Sequence, residues 1–349
     1  MSDAFTEIKD PVPSETIPIV GREQLVPLIG CINHADAPVL ALDIPSGLSA
    51  DSGAAPGVVV RADHTMTFIG VKRGLLSGEG PSLTGVVHYN DLSVPEAVFA
   101  AVPADCQRPT LDEFLRCKQP RRATAHKGLF GHVRGIGGDH GYAGAAVLAA
   151  QAAARCGAGL VSLATRREHC TLMLTRQPEV MACGVENGDD LLPLLEKATV
   201  VVIGPGLGQG PWGQTLLAKV LASDKPRVLD ADALNLMSAK KYTPATVPQV
   251  VTPHPGEAGR LLNTATGAVQ QDRFAAVARL QKKTGGTVLL KGAGTLICSD
   301  AAMLALNTSG NPGMATGGMG DVLSGVIGAL LAQGFNPHDA ARFGALLHG

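Results

Sequence analysis

The chain has 349 residues, 45% hydrophobic and 17% charged, with 43 glycines and only 3% aromatics. A net charge of -1 and a pI near 6.8 leave no electrostatic case for binding nucleic acid or an anionic membrane. Asp3, Glu7, Lys9 and Asp10 open the chain with no apolar stretch behind them, and no run is long enough to span a bilayer. Cysteines 31, 106, 117, 156, 170, 183 and 298 form no Cys-x-x-Cys pair, so the expectation is a cytoplasmic protein with reduced thiols.

Val39-Leu40-Ala41-Leu42 reads as a buried strand that runs into Asp43-Ile44-Pro45-Ser46-Gly47. Thr65–Ile69 and Val86–Tyr89 read as further strands of a short front block, poor in helix and too small for a free-standing doubly wound domain. Residues 103–126, with Pro103, Pro109, Arg116, Lys118, Pro120, Arg121 and Arg122, are polar and proline-broken, which suits a linker.

Beyond the linker, strands alternate with helices. His132–Ile136 and Leu160–Ala164 are predicted strands around an alanine-rich helix, Gly144–Arg155. Val200–Ile203, Val228-Leu229, Val250–Thr252 and Val288–Leu290 are strands, with helices near Leu216–Leu221 and Phe274–Leu280. Fully apolar strands between helices predict an α/β fold with a mainly parallel sheet covered on both faces. In such sheets ligands sit beyond the carboxyl ends of the strands. Four strands run there into small or polar residues: Gly204–Gly208, Asp230–Asn235, Pro253–Glu257 and Lys291–Thr295.

The loop Asn311–Asp321 carries the strongest chemical signal. It is rich in glycine and small residues and leads into a helix with Val322, Leu323, Val326, Ile327, Leu330 and Leu331 on one face. The free N–H groups and positive end of that helix can hold an anion, and glycines let backbone approach a phosphate. Asp321 is badly placed to bind phosphate but well placed to take a proton from a hydroxyl attacking it. Each feature taken singly also has a plain structural reading: Asp321 as a helix-start acid, Gly-Pro-Gly as a turn, Lys291 as a snorkelling lysine. Five on one sheet edge point to phosphoryl transfer.

Residues from about 127 onward resemble the ADP/ATP-dependent NAD(P)H-hydrate dehydratase family, which has a ribokinase-like fold. The resemblance rests on Gly141–Ala146, Gly157–Val161, Ile203–Gly208, Thr252–Glu257, Lys291–Thr295 and Gly310–Gly325. Residues 39–95 are similar to the end of an NAD(P)H-hydrate epimerase domain, a Rossmann-like α/β unit, through Asp43–Leu48, Thr65–Phe68 and Lys72. The implied organisation is a partial epimerase domain over 1–102, a linker over 103–126 and the dehydratase domain over 127–349. An epimerase opens with a glycine- and asparagine-rich phosphate loop and an acid-bearing motif that are not found here. Dehydratases continue with helices beyond His348-Gly349. The resemblance therefore implies truncation at both ends and a front block without epimerase activity.

The resemblance further implies ADP-dependent dehydration of the S epimer of hydrated NADH or NADPH, giving NAD(P)H, AMP and phosphate. Asp321 would act as base, and Gly320 with Lys291, Gly292, Ala293, Gly294 and Thr295 would hold the nucleotide. Ala145, Gly206 and His254, with Asp321, would line the hydrated dinucleotide site. In the front block Asp43 would contact substrate and Ser46 a potassium ion. ADP and Mg2+ are the expected co-substrate and cofactor, with small molecules rather than nucleic acid or membrane as partners, in a homo-oligomer. Two rivals remain open: a thiamine-precursor kinase of the same fold, and a non-catalytic nucleotide-binding remnant.

Overall fold

The computed structural model describes residues 22–240 and 243–349. A front unit contains helix α1 (Arg22–Asn33), strands β1 (Leu40–Leu42) and β2 (His64–Phe68), helix α2 (Gly80–Leu83), strand β3 (Val86–Asn90) and helix α3 (Glu96–Ala101). Its strands form a parallel sheet in the order β1-β2-β3, with Leu40, His64 and Val86 in register. The buried cluster beneath is small, Leu48, Val59 and Leu75, while Leu40, Leu42 and Val86 are exposed. The helices α1–α3 supplement a block whose sequence signalled mainly strands.

The segment read as a linker carries ordered elements. Strand β4 (Cys106–Gln107) pairs in parallel with β13 (Leu304–Asn307), and helix α4 (Leu111–Cys117) follows. Thr110 caps α4, Phe114 is buried against Phe335 and Phe343, and Glu113 pairs with Arg342 at 2.6 Å. Its prolines and charges conceal this because two strand residues give no periodicity.

The remaining elements in chain order are β5 (His132–Ile136), α5 (Ala143–Arg155), β6 (Leu160–Thr165), α6 (Cys170–Arg176), β7 (Met181–Gly184), α7 (Gly188–Glu196), β8 (Val200–Ile203), α8 (Pro211–Ala222), β9 (Arg227–Leu229) and α9 (Ala231–Ser238). They continue with β10 (Gln249–Val251), α10 (Pro255–Leu262), α11 (Thr266–Gln271), α12 (Arg273–Thr284), β11 (Thr287–Leu290), β12 (Thr295–Cys298), then β13, α13 (Met319–Ala332) and α14 (Pro337–His348). The ten strands lie in the order β4-β13-β12-β11-β10-β9-β8-β5-β6-β7. β12 runs antiparallel to β11 and β13, and the other pairings are parallel.

Alternate residues of each strand feed the two faces. Val201 and Ile203 enter the core beneath α7–α12, while Val200 and Val202 enter the core beneath α5, α13 and α14. Both faces being covered explains the unbroken apolar strands. Glycines set how close α13 lies to its neighbours. A Cβ at Gly325 would overlap the Ala149 carbonyl of α5, and one at Gly328 would overlap the Val202 side chain of β8. The helix that begins at the glycine loop is thereby wedged between α5 and the sheet.

Candidate functional site

The carboxyl ends of β8, β9, β10 and β11 face one edge, and their loops meet there. Gly204 follows β8 with φ +128°, and a Cβ on it would overlap the Asp230 carbonyl that follows β9. Gly208 N donates to Asp232 Oδ2 at 3.0 Å, tying these two loops together. Gly206 is buried against Tyr142, at the start of α5, and Ala145 sits half-buried in the first turn of that helix.

Beneath the start of α13 lies a charged network. Lys291 Nζ donates to Asp230 Oδ1 at 2.9 Å and stands 4.0 Å from Glu257 Oε2. Ser324, one turn after Gly320 on α13, donates to Asp230 Oδ2 at 2.7 Å. A Cβ at Gly320 would lie 3.1 Å from Lys291 Nζ, so the first turn of α13 sits directly over the ammonium. Burial pushes Lys291 down, but the Asp230, Glu257 and Asp321 carboxylates outweigh it and raise its pKa. Its ammonium is thus turned to buried carboxylates rather than left free in the loop.

Asp321 lies in the first turn of α13, whose N-cap Gly318 adopts φ +91°. The backbone demands glycine there, while the 2.6 Å approach of a Cβ to Leu148 Cδ1 meets only the end of an exposed side chain that can turn aside. Burial, then the Asp230 charge, raises the Asp321 pKa from 3.8 to about 6, against the pull of Lys291. Such a carboxylate is ionised near neutrality yet basic enough to accept a proton. Glu257 is raised to about 7, chiefly by burial.

His254 caps α10: its Nδ1 accepts from Gly256 N at 3.0 Å and Glu257 N at 3.4 Å, while Glu257 Oε2 accepts from His254 N at 2.8 Å. Nδ1 is therefore an acceptor, leaving Nε2 as the donor of a neutral ring. Burial, then Lys291 and Arg260, lower its pKa and keep it neutral. Nε2 stands 3.5 Å from Glu257 Oε1, so the cap and the carboxylate together hold the ring in place.

The loop Lys291–Thr295 is held from below by Arg273, the first residue of α12. This fully buried guanidinium donates to the carbonyls of Leu290, Lys291 and Gly294 and to Gln270. Burial without a carboxylate partner drops its pKa to about 10. Gly292 and Ala293 are exposed, and Gly292 has φ +143° with Arg273 Nη1 2.7 Å from where a Cβ would stand. Thr295 Oγ1 closes the loop on Gly292 O at 3.0 Å.

In the front unit Asp43 has φ 68° and accepts from Lys72, Phe68 N and Thr67. Burial opposes ionisation there, but Lys72 and the hydrogen bonds prevail and lower its pKa. Ser46 is exposed, and its carbonyl accepts from Val60 N at 3.0 Å. The structure thus gathers Asp321, Gly320, Lys291 and His254 around one edge, with Gly292–Thr295 alongside, and leaves Asp43 and Ser46 on a separate sheet.

Asp230, Glu257, Ser324 and Arg273 belong to this edge but to none of the predicted site roles. Asp230 opens one strand-end motif and Glu257 closes another, and Ser324 is one helical turn from Gly320, so each had a signal. Arg273 had none.

The NAD(P)H-hydrate dehydratase family matches residues 133–349, and the YjeF-related protein N-terminus matches residues 19–74. The bifunctional NAD(P)H-hydrate repair enzyme of Coxiella burnetii is 48% identical over 321 residues, 92% of this chain and 65% of the relative. Its Escherichia coli counterpart is 46% identical over 94% of this chain and 63% of its own length. The chain therefore spans just under two thirds of these relatives. Among solved structures, a ribokinase-like superfamily protein from Enterococcus faecalis is 35% identical with a TM-score of 0.63, covering 70% of this chain and 86% of its own. The ADP/ATP-dependent NAD(P)H-hydrate dehydratase of Bacillus subtilis, co-crystallised with ATP/Mg2+, is 30% identical with a TM-score of 0.62, covering 70% and 87%. Over most of its length, and through the whole of the strand-end site, this chain belongs to the NAD(P)H-hydrate dehydratase family.

Proposed function

We propose that this chain dehydrates the S epimer of hydrated NADH or NADPH at the expense of ADP. The observation that carries the reading is Asp321, a partly buried carboxylate with a pKa of about 6, in the first turn of a glycine-preceded helix. The hydroxyl of the hydrated ring gives its proton to Asp321 as its oxygen bonds to the β-phosphorus of ADP. AMP departs with the electrons of the broken P–O bond. The ring C–O bond then breaks, pushed by the ring nitrogen, and the adjacent carbon loses a proton to restore the double bond. Hydroxide is a poor leaving group and phosphate a good one. Water, formally removed from the ring, ends in the phosphate.

Gly318–Gly320 and the helix N-terminus are suited to hold the phosphoryl group in transfer, where preorganised N–H donors act most strongly. Within Gly292–Thr295, exposed Gly292 and Ala293 offer their backbone to the nucleotide, with Lys291 fixing the buried carboxylates beneath. Neutral His254, with Ala145 and Gly206, lines the dinucleotide side. ADP rather than ATP, cytoplasmic location and a homo-oligomeric state belong to this same reading.

A magnesium ion, when bound, offsets phosphate charge. Among the described residues no three His, Cys, Asp or Glu side chains are grouped to hold a metal. Such an ion fits here on phosphate oxygens and water with at most one or two carboxylates, as magnesium commonly binds nucleotides. In the front unit Lys72 pairs with Asp43 Oδ1 and Val60 N donates to the Ser46 carbonyl, and the potassium reading rests on the family resemblance alone.

The test is to incubate the protein with hydrated NADH and ADP and follow the absorbance of restored NADH. Release of AMP and phosphate in equal amounts is expected. Accumulation of a phosphorylated product would favour the kinase, and no nucleotide dependence at all would leave only a binding remnant.

A further inference from the structure

The nucleotide loop is bounded by Arg273 beneath and, on its flank, by a piece of the front unit that lies outside the 133–349 family match. Gly78 N donates to Ala293 O at 3.2 Å. Gly294, at φ +64°, lies so close that a Cβ would overlap the Leu76 carbonyl and stand 2.7 Å from Ser77 Cα. Leu76 packs against the small front cluster and the main core at once, and Ser77 is fully buried. Arg73 stacks its guanidinium 4.3 Å over the ring of Phe274, the residue after Arg273. It also pairs with Asp105 at 2.8 Å and donates to Asp51 O at 2.7 Å.

Hydrogen bond, close backbone packing and cation–π contact therefore converge on one five-residue loop and on the helix that supports it. We propose that the Arg73–Gly78 segment is a positioning element of the nucleotide site, so that the front unit of this chain sets affinity for a nucleoside diphosphate. The proposal rests on assigning Gly292–Thr295 to the nucleotide. The physical reason is preorganisation. An exposed glycine loop loses conformational freedom on binding, and contacts that hold it in advance remove that cost. The front unit then has a role in this chain that needs no epimerase chemistry.

The experiment compares the full chain with Leu76→Ala, Arg73→Gln and Arg73→Lys, with Val86→Ser on the exposed face of β3 as control. ADP and hydrated NADH are titrated separately by calorimetry, and amide exchange of Gly292–Thr295 is measured without ligand. The expected result is ADP affinity weakened about three- to tenfold in Leu76→Ala and Arg73→Gln, the scale of one lost cation–π contact with its packing. Hydrate affinity stays unchanged, exchange of the loop accelerates, and Arg73→Lys recovers most of the loss. A purely structural tether lowers thermal stability without separating the two ligands, and that outcome overturns the proposal. So does unchanged loop exchange in a folded Leu76→Ala. If Leu76→Ala fails to fold, the Arg73 pair decides alone. Wild-type chain that binds no ADP overturns the function proposed above, a result separate from unchanged affinities among variants that do bind.

Discussion

Replacing Asp321 by asparagine separates a catalytic carboxylate from a helix-start acid, because the two roles move stability in opposite directions. The fold raises the Asp321 pKa from 3.8 to about 6, so ionisation in the native state is opposed. That gap is worth about 3 kcal/mol between neutral and charged forms. The side chain is only partly buried, so screening leaves roughly 1–2 kcal/mol. Because the folded pKa is the higher one, wild-type stability falls as pH rises between about 4 and about 6. The amide of the variant carries no charge and escapes that fall. Asp321→Asn is therefore expected to be more stable than wild type by about 1–2 kcal/mol above pH about 6, with the difference vanishing below about 4. Turnover is expected to drop by about 10²–10⁴-fold, and wild-type kcat/KM should rise with pH through about 6. Urea denaturation at several pH values, with the NADH absorbance assay alongside, measures both. An acid that merely serves the helix dipole gives a variant destabilised by about 0.3–1 kcal/mol with activity retained. That pair of results would refute the reasoning.

Lys291→Met leaves Asp230 and Glu257 facing each other without their shared cation, so a loss of about 3–5 kcal/mol is expected by chemical denaturation. The loss should shrink at lower pH as Glu257, raised to about 7, takes up a proton. Arg273→Met strands the carbonyls of Leu290, Lys291 and Gly294, with an expected loss of about 2–4 kcal/mol and weakened ADP binding in calorimetry. Gly325→Val forces a side chain into the Ala149 carbonyl, so Tm should fall with about 1–3 kcal/mol or more of overpacking, and turnover should fall with it as α13 shifts. Supplied with only the R epimer of the hydrate, the chain should not exceed the spontaneous rate of epimer exchange. An acceleration abolished by Asp43→Ala would contradict this.

The parts of the molecule legible in advance are those that local sequence determines. Val200–Ile203 reads as a strand buried on both faces, and the structure gives it as β8, inside the large sheet. The glycine loop before Val322 reads as a helix entry, and α13 begins at Met319. Strand ends followed by small or polar residues do converge, because parallel strands send every such loop to the same edge. What stayed hidden depends on partners distant in the chain. Lys291 reads as a nucleotide ligand, or taken singly as a snorkelling lysine, and nothing local foretells that its ammonium meets Asp230, 61 positions away in sequence, at the end of β9. Arg273, just ahead of the helix read near Phe274–Leu280, carries no sequence signal, and only the loop above it supplies the carbonyls that surround it. The strand read as Val250–Thr252 begins one residue earlier, at Gln249, whose side chain accepts from Arg227 at 2.9 Å inside the sheet. The two residues of β4 are strand only because β13 lies beside them.

That last pairing bears on how the chain can be divided. Cys106 and Gln107 lie against Leu304 and Ala305, so the outer edge of the large sheet is closed by a strand encoded ahead of the family match. Cutting at residue 127, where the compositional break falls, would strip that strand and the Phe114 side chain from the rest. β13 would then expose its backbone groups as a template for other chains, an aggregation hazard of any uncovered edge. A separable unit carrying the family match with its sheet edge covered would begin before Cys106. In this chain the boundary between the blocks is itself a strand addition in cis, with the front unit tethered to the rim through the strand that covers it.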